Sequence, residues 1–238
     1  MCGRITLTRG DWDDVLVEVM KILEPTGVGP ILGEAGASLL YRPHYNVAPT
    51  QLHPVVRSMG GQAIVGFARW GLPARGPSKP LVINARAESL ARRPTFQESF
   101  ANRRCLVLAD GFFEWKNGPE GRQPLWFHPV DGGLLLLAGL FDPGPAPGPA
   151  DSEPVPASFV VLTTAPNSLM ASVHDRMPAL LSASEAASWL AKPDSTVLHP
   201  APDDLLVATP VSVRVNSVRH DDPACLAPPR NIQLKLFD

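Results

Sequence analysis

The chain has 238 residues, of which 45% are hydrophobic and 18% are charged, and its formal net charge is −2. A chain of this length and composition buries a full hydrophobic core without disulfides or a metal, so an intrinsically disordered protein is excluded. The near-neutral charge, taken alone, argues against a nucleic-acid-binding protein.

Targeting segments and cysteine usage narrow the class further. No apolar run approaches the roughly 20 residues of a transmembrane helix, and the N-terminal MCGRITLTRG lacks the apolar stretch of a secretory signal. The three cysteines lie far apart without a CxxC pair, which favours a reducing compartment over a disulfide framework or a zinc ribbon. We expect a cytoplasmic protein that does not associate with a membrane and that lies at the nucleoid if it is bacterial.

Charge is unevenly distributed along the chain. Residues 1–122 carry a formal net charge of +4, and residues 123–238 carry −6. Most of the basic residues in the first half are arginines, whose guanidinium matches phosphate geometry better than an ammonium does. A solvated surface is the simpler interpretation. The alternative is a local arginine patch that confines an anionic partner to one face.

The first predicted element is an amphipathic helix. Trp12, Val15, Leu16, Val19 and Leu23 recur at helical spacing, and three acidic residues lie in its first turn. The Gly/Pro-rich stretch 25–36 that follows is predicted to be a loop.

Short strands dominate the rest of the chain. The predicted strands are 54–57, 63–70, 81–84, 104–109, 112–116, 125–128, 134–140, 158–164 and 211–215, with a turn at Asp110-Gly111. Capping boxes predict two short helices: Thr95 with Glu98 begins one that runs through Ala101, and Ser182 with Glu185 begins one that runs through Ala191. Strands in runs with scattered helices indicate an α+β fold with a largely antiparallel, twisted, barrel-like sheet, closed or nearly closed.

The segment 142–157 contains six prolines and is of low complexity. Strand-like segments flank it directly, so we interpret it as a surface insertion within a single domain, 1–238, rather than as a domain linker.

Cys2 is the first candidate for chemistry. Aminopeptidases remove an initiator Met when the second residue is small, which would give Cys2 a free α-amine beside its thiol. The reference pKa values of these groups are about 8 and 8.5, so both are partly deprotonated near neutral pH. The amine condenses with an aldehyde to a Schiff base, and the thiol can close a thiazolidine ring on it. The alternative is a small residue at a frayed terminus, although 3–7 resembles a strand.

Further candidates lie near predicted strands. Arg4 is expected to favour the Cys2 thiolate and to bind an anion. Asn84 and Arg86 share a strand face if that strand continues, which offers an amide and a phosphate ligand together. Glu114 lies between aromatic residues, where burial raises a carboxyl pKa and suits proton transfer, unless it faces outward.

His174 is the last candidate, because histidine titrates near neutral pH, although a lone histidine is more often structural. Arg176 follows two residues later as a phosphate ligand. Metal-ligand spacings such as HExxH are absent, as are GxGxxG, P-loop and GxSxG motifs, so neither a metal nor a cofactor is expected.

Six segments together resemble one family. They are MCGR at 1–4, YNVAPT at 45–50, WGL at 70–72, NARAE at 84–88, the block 104–115 and HDRMP at 174–178. In these segments the chain is similar to the SOS-response-associated peptidase (SRAP) family, whose members process abasic sites. A single such motif is weak evidence, whereas six in order from residue 1 to about 190 are specific.

The resemblance implies single-stranded DNA binding, including at single/double-strand junctions. It further implies a covalent thiazolidine crosslink between Cys2 and the ring-opened aldehyde of an abasic site, which protects the lesion during replication-associated repair. Asn84 would then position the sugar or the ring. Glu114 would serve as acid and base in lyase-like Schiff-base chemistry, and His174 would aid sugar ring opening and crosslink reversal.

The resemblance also implies DNA contacts and self-processing. Arg4, Arg86 and Arg176 would hold phosphates, and Trp70 would stack on a base or wedge at a strand junction, with core packing as the alternative. The family is also assigned a peptidase activity that removes its own Met1. We expect a monomer.

Two other functions stay open. One is a cysteine peptidase acting on other proteins, with Cys2 as nucleophile and His174 as base. The other is a non-catalytic module that binds single-stranded DNA.

Overall fold

The computed structural model describes residues 2–73, 80–119, 121–144 and 156–229. Its strands are β1 (Ile5–Leu7), β2 (Ile31–Gly33), β3 (His44–Val47), β4 (Leu52–Met59), β5 (Gln62–Trp70), β6 (Asn84–Arg86), β7 (Arg104–Ala109), β8 (Gly111–Gly118), β9 (Gly121–Pro129), β10 (Leu135–Asp142), β11 (Ser158–Thr164), β12 (Met177–Pro178), β13 (Leu180–Leu181) and β14 (Leu206–Pro210). Its helices are α1 (Trp12–Leu23), α2 (Ala37–Leu40), α3 (Pro94–Asn102), α4 (Ser168–Ala171) and α5 (Ala183–Ala191).

The strands form two sheets. The smaller sheet has the order β14-β9-β8-β1-β3, and the larger has the order β12-β11-β10-β7-β4-β5-β2, with β13 paired to β10 and β6 paired to β11. Most pairings are antiparallel, and the parallel ones join β2 to β5, β6 to β11 and β5 to β11.

The larger sheet curls until two of its strands meet at one end. β11 pairs with β5 over two residue pairs, Ser158 with Arg69 and Phe159 with Trp70. The predicted α+β fold with mostly antiparallel sheets and a few short helices is confirmed. The described residues form two sheets, and the larger is nearly closed rather than a closed barrel, because β11 and β5 pair over only two residue pairs.

β7 shows how the layers are arranged. Successive side chains of a strand point to opposite faces, and every residue of β7 is buried. Cys105 and Val107 lie in the core between the two sheets, and Leu106 and Leu108 lie in the core shared with the helices. The larger sheet is therefore the middle of three layers, with the helices on one side and the smaller sheet on the other. Burial on both faces explains the run of apolar residues in β7 after Arg104.

Two predicted helices are confirmed closely. α1 begins after Asp11, which caps it, and it buries Trp12, Val15, Val19 and Leu23 against the helix-side core. α5 follows Ser182 in the predicted capping box with Glu185.

Other local predictions are wrong. A short strand, β2, lies in the predicted loop; the strand near Asn84 begins at that residue rather than ending there; and residues 213–216 form a 3-10 turn, Val213–Asn216, after a strand that ends at Pro210. Helix α3 begins after Arg93 with no side-chain cap and with Pro94 at its first position, so the predicted capping box of Thr95 with Glu98 is wrong. β2 was missed because its pairing with β5 is not visible in the local sequence.

Asp110 marks the passage from one sheet to the other rather than a simple hairpin. β7 belongs to the larger sheet and β8 to the smaller. The Asp110 carboxylate accepts hydrogen bonds from the Thr6 and Thr8 hydroxyls, each at 2.6 Å, and from the Thr8 amide at 2.6 Å. The crossing is thereby tied to the middle of β1 and to the residue that follows it.

The predicted insertion at 142–157 falls largely on 145–155, which lie outside the described residues. Within the described parts of the chain, no helix combines the length and apolarity needed to cross a bilayer.

Candidate functional site

Cys2 lies where the two sheets meet. The Phe113 amide of β8 donates to the Arg4 carbonyl at 3.0 Å, which places the start of the chain beside the smaller sheet. The Asn84 side-chain amide, at the start of β6 in the larger sheet, donates to the Cys2 carbonyl at 2.8 Å. Residue 2 is therefore held from both sheets, and the frayed-terminus interpretation of Cys2 is wrong.

The Cys2 thiol is fully buried, in surroundings that disfavour the thiolate. Burial raises its pKa well above the ordinary value, and the nearby Glu114 carboxylate raises it further. The Arg4 guanidinium is engaged elsewhere, with Asn46 Oδ1 at 3.0 Å and the Val215 carbonyl at 2.8 Å. The prediction that Arg4 favours the thiolate is therefore wrong in this buried arrangement.

Glu114 faces inward on β8, with only 4% of its surface exposed. Strand alternation puts it on the same face as Phe112, which packs in the core between the sheets together with Cys2. The outward-facing alternative is thus excluded, and a titratable carboxyl lies close enough to the thiol for their charges to interact.

His174 lies half-buried between α4 and β12. The Arg176 amide donates to its Nδ1 at 2.9 Å, so the neutral ring carries its proton on Nε2. The Asp175 carboxylate also lies 2.9 Å from Nδ1 and becomes the partner if that nitrogen is protonated. Both residues that follow His174 thus contact its Nδ1 and orient the ring.

A groove of about 450 Å³ brings several predicted residues together. It is lined by Gly3, Arg4, Glu114, Trp115, Arg122, His174 and Asn216. We call it the site groove. It joins the residue after Cys2, the inward carboxyl and the histidine in one depression, although these residues come from three distant parts of the sequence.

Trp115 is a groove residue that sequence reasoning missed. Its Nε1 donates to Asn216 Oδ1 at 2.7 Å. The guanidinium carbons of Arg4 and Arg122 lie 5.8 Å and 6.0 Å from its ring centroid. Its position next to Glu114 in the strand could have indicated it. Nothing in the local sequence indicates that Asn216 and Arg122 line the same groove.

Trp70 is not a surface aromatic. It is fully buried, its ring stacks on Phe159 with centroids 6.0 Å apart, and its Nε1 donates to the Ile83 carbonyl at 2.9 Å. The prediction that Trp70 stacks on a base or wedges at a strand junction is corrected to its alternative, core packing, because no face of the ring reaches the surface.

The remaining predicted arginines differ in accessibility. Arg86 is exposed on β6 and lies on the same strand face as Asn84, as expected if the strand continues. Arg176 is buried, and its guanidinium forms a bidentate pair with Glu88 and a bond to the Thr163 carbonyl. This pairing lowers the pKa of Glu88 to about 2, and it leaves Arg176 outside the site groove.

Within the ranges that the structure describes, no cluster of three or more His, Cys, Asp or Glu side chains is arranged to hold a metal ion. The groove offers an amide, a carboxyl, an imidazole and guanidinium groups. Such a set suits proton transfer and anion binding.

Comparison with known proteins defines the family. The model of the family described as SOS response associated peptidase (SRAP) matches residues 1–218, and the chain belongs to this family. The abasic site processing protein YoqW of Bacillus subtilis is 33% identical over 234 residues, which cover 94% of this chain and 97% of the relative. The abasic site processing protein YedK of Escherichia coli is 29% identical over 192 residues, which cover 80% of this chain and 79% of the relative.

A vertebrate relative and a solved structure extend the comparison. The abasic site processing protein HMCES of Xenopus tropicalis is 29% identical over 232 residues, covering 81% of this chain and 68% of the relative. A crystal structure of a protein from Bacteroides thetaiotaomicron superimposes with a TM-score of 0.72, covering 95% of this chain and 99% of that chain at 21% identity. This last likeness concerns the fold.

Proposed function

We propose that this protein binds single-stranded DNA and processes abasic sites by covalent attachment through Cys2, after Met1 has been removed. The observation that carries the proposal is the meeting of Cys2, Asn84 and Glu114 at the junction of the two sheets, beside a groove with Arg4 and His174. The names of the relatives, all abasic site processing proteins, support the choice of substrate.

The chemistry needs no oxidant or cofactor. The α-amine of processed Cys2 attacks the aldehyde carbon of the ring-opened sugar, and loss of water gives an imine. The Cys2 sulfur then adds to the imine carbon while the thiol proton passes to the imine nitrogen, which closes a thiazolidine ring. Glu114 is the proposed proton carrier: in the first step it protonates the departing hydroxyl and recovers a proton from the nitrogen as the imine forms, and in the second step it takes the thiol proton and gives its own proton to the imine nitrogen.

Asn84 is suited to hold the reacting sugar. Its Nδ2 is engaged by the Cys2 carbonyl, whereas its buried Oδ1 accepts no hydrogen bond from the described residues. A buried acceptor of this kind is costly unless a ligand supplies a donor. A sugar hydroxyl or the ring nitrogen is the proposed donor.

The other groove residues take supporting roles. His174 is proposed to aid sugar ring opening and reversal of the crosslink by hydrogen bonding to the sugar through Nε2, since its Nδ1 accepts the Arg176 amide. Arg4 and exposed Arg86 are the proposed phosphate ligands. Arg176 is proposed to position the segment of His174 through its pair with Glu88, in place of the phosphate contact expected from the sequence.

The proposal is tested with a single-stranded oligonucleotide that contains one abasic site. Wild-type protein should give a heat-stable adduct on a denaturing gel, and Cys2→Ala should give none. A tetrahydrofuran analogue, which lacks the aldehyde, is the matched substrate control. The absence of an adduct with wild-type protein would overturn the proposal. Cleavage of a peptide library would then favour a peptidase. DNA binding that is the same for wild-type protein and Cys2→Ala, with no adduct from either, would favour a non-catalytic module.

Self-removal of Met1 is a second part of the proposal. We expect the intact mass of purified wild-type protein to lack Met1, and Glu114→Gln to retain it. Glu98→Gln is the control, since it makes the same chemical change at an exposed position of α3. Retention of Met1 in both variants, or in neither, would remove Glu114 from this step.

A further inference from the structure

A second groove adjoins the site groove. It has a volume of about 750 Å³, and its lining includes Arg122, Val213, Arg214 and His220. Arg122 lines both grooves, so its side chain lies at the boundary between them. We call the second depression the extension groove.

Arg122 stands exposed at the junction. It lies on β9 opposite Asn117 of β8, and its guanidinium carbon is 6.0 Å from the Trp115 ring centroid. None of the ion pairs among the described residues involves it, in contrast to Arg214, whose guanidinium is bound by Asp222 at 2.6 Å. The positive charge at the boundary between the grooves is therefore available to an anion.

The extension groove changes character away from Arg122. Val213, 61% exposed, and three prolines, Pro119, Pro228 and Pro229, give it apolar lining, while Gln123 and Ser212 add polar groups. A cation at one end and apolar surface beyond it match the alternation of phosphate and base along a nucleic acid strand. The volume lies within the roughly 300–1,000 Å³ of pockets that enclose drug-sized ligands.

We propose that the extension groove binds the single strand where it leaves the abasic nucleotide, with Arg122 holding the phosphate that connects the two grooves. The inference rests on the proposed function for the identity of the nucleotide in the site groove. It adds a binding surface and a side chain that the six sequence motifs do not contain.

The inference is tested by binding of tetrahydrofuran-containing strands, which cannot crosslink, to the full chain. The minimal strand carries one nucleotide on each side of the lesion, and two further strands are extended by three nucleotides on one side or the other. We expect one of the two extensions to strengthen binding. Arg122→Gln should weaken binding of that strand by about 5–10-fold and reduce the slope of log affinity against log salt by about 0.7, the value for one phosphate on a single strand.

Two further variants make the test specific. Val213→Asp places a negative charge in the extension groove alone, so it should weaken the extended strand and leave the minimal strand unchanged. Arg219→Gln removes the same charge as Arg122→Gln from an exposed position outside both groove linings, and it should change neither strand.

The outcomes separate this inference from the proposed function. If neither extension strengthens binding, or if Arg122→Gln and Val213→Asp behave like Arg219→Gln, the extension groove is not the strand path, even where the minimal strand with a native abasic site forms an adduct. If the adduct fails while the extension still contributes through Arg122, the covalent chemistry is refuted and the strand path stands.

Discussion

Asn46 connects the fold to the site groove, and its removal is predicted to have a large effect. Its Nδ2 lies 3.2, 3.0 and 2.7 Å from the carbonyl oxygens of Val215, Ser217 and His220, and its Oδ1 accepts from Arg4 Nη1 at 3.0 Å. Asn46 is fully buried. Asn46→Ala therefore removes the amide donor that these carbonyls share, although each keeps another donor, and it removes one of the two acceptors that fix Arg4.

The size of the effect follows from these contacts. The two amide hydrogens of Asn46 supply two hydrogen bonds among three carbonyls, each worth about 1 kcal/mol, and the bond from charged Arg4 is worth somewhat more. Because Arg4 keeps its bond to Val215, we expect Asn46→Ala to lower the free energy of unfolding by about 3 kcal/mol. With a urea m-value of about 2–3 kcal/mol/M, the midpoint should fall by about 1 M.

Asn46→Asp is the matched comparison. It loses the donor and turns a carboxylate toward the same carbonyls, so its stability should be no higher than that of Asn46→Ala. It keeps the acceptor for Arg4, so in conditions where both variants are folded it should form the abasic-site adduct faster. A midpoint for Asn46→Ala within about 0.3 M of wild type, or equal adduct rates for the two folded variants, would refute this reasoning.

Three further predictions concern other contacts. The pair with Arg176 lowers the Glu88 pKa to about 2, so the stabilisation by this pair should be complete above about pH 4.5 and should disappear as pH falls through about 2. Glu88→Gln should flatten this part of the pH profile of urea midpoints. The effect should be at most about 1 kcal/mol, since Glu88 is half exposed. Trp70→Phe should lower the free energy of unfolding by about 1–3 kcal/mol, measured by thermal or urea unfolding, and leave the affinity for the DNA strand unchanged. Trp115→Phe should weaken strand binding, measured by fluorescence anisotropy, with a smaller loss of stability. Iodoacetamide should alkylate Cys2 slowly at pH 8 and faster in urea, because burial raises the pKa of the thiol; equal rates followed by peptide mass spectrometry would contradict its burial.

Regular elements with one dominant signal were predictable from sequence. Helix α5 follows from its capping box, and β7 and β11 follow from apolar runs of strand length. The segment after Pro210 was predicted as a strand from its β-branched residues, yet it turns at Val213–Asn216. The Val215 carbonyl in this turn accepts a hydrogen bond from Asn46, a partner about 170 residues away that no local window contains.

Candidate site residues could be chosen from the sequence where the side chain itself has reactive or titratable chemistry. Cys2, Asn84, Glu114 and His174 were each singled out, and the structure places them near the junction of the sheets or in the site groove. Which of two tryptophans faces the groove was not predictable, because Trp70 and Trp115 both end apolar stretches and only the sheet pairing buries the first. The pairing of Arg176 with Glu88 was not predictable for the same reason, because the carboxylate comes from a distant segment of the sequence.

The burial of Cys2 has a consequence for oxidative chemistry. Peroxide converts exposed thiolates to sulfenic acid and then to irreversible sulfinic and sulfonic acids, and the rate follows thiolate content and access. A thiol that the fold keeps neutral and out of solvent reacts slowly along this route. The second residue of the chain is thus stored in a reduced form under the same oxidants that damage nucleobases, and the junction of the two sheets is what preserves it.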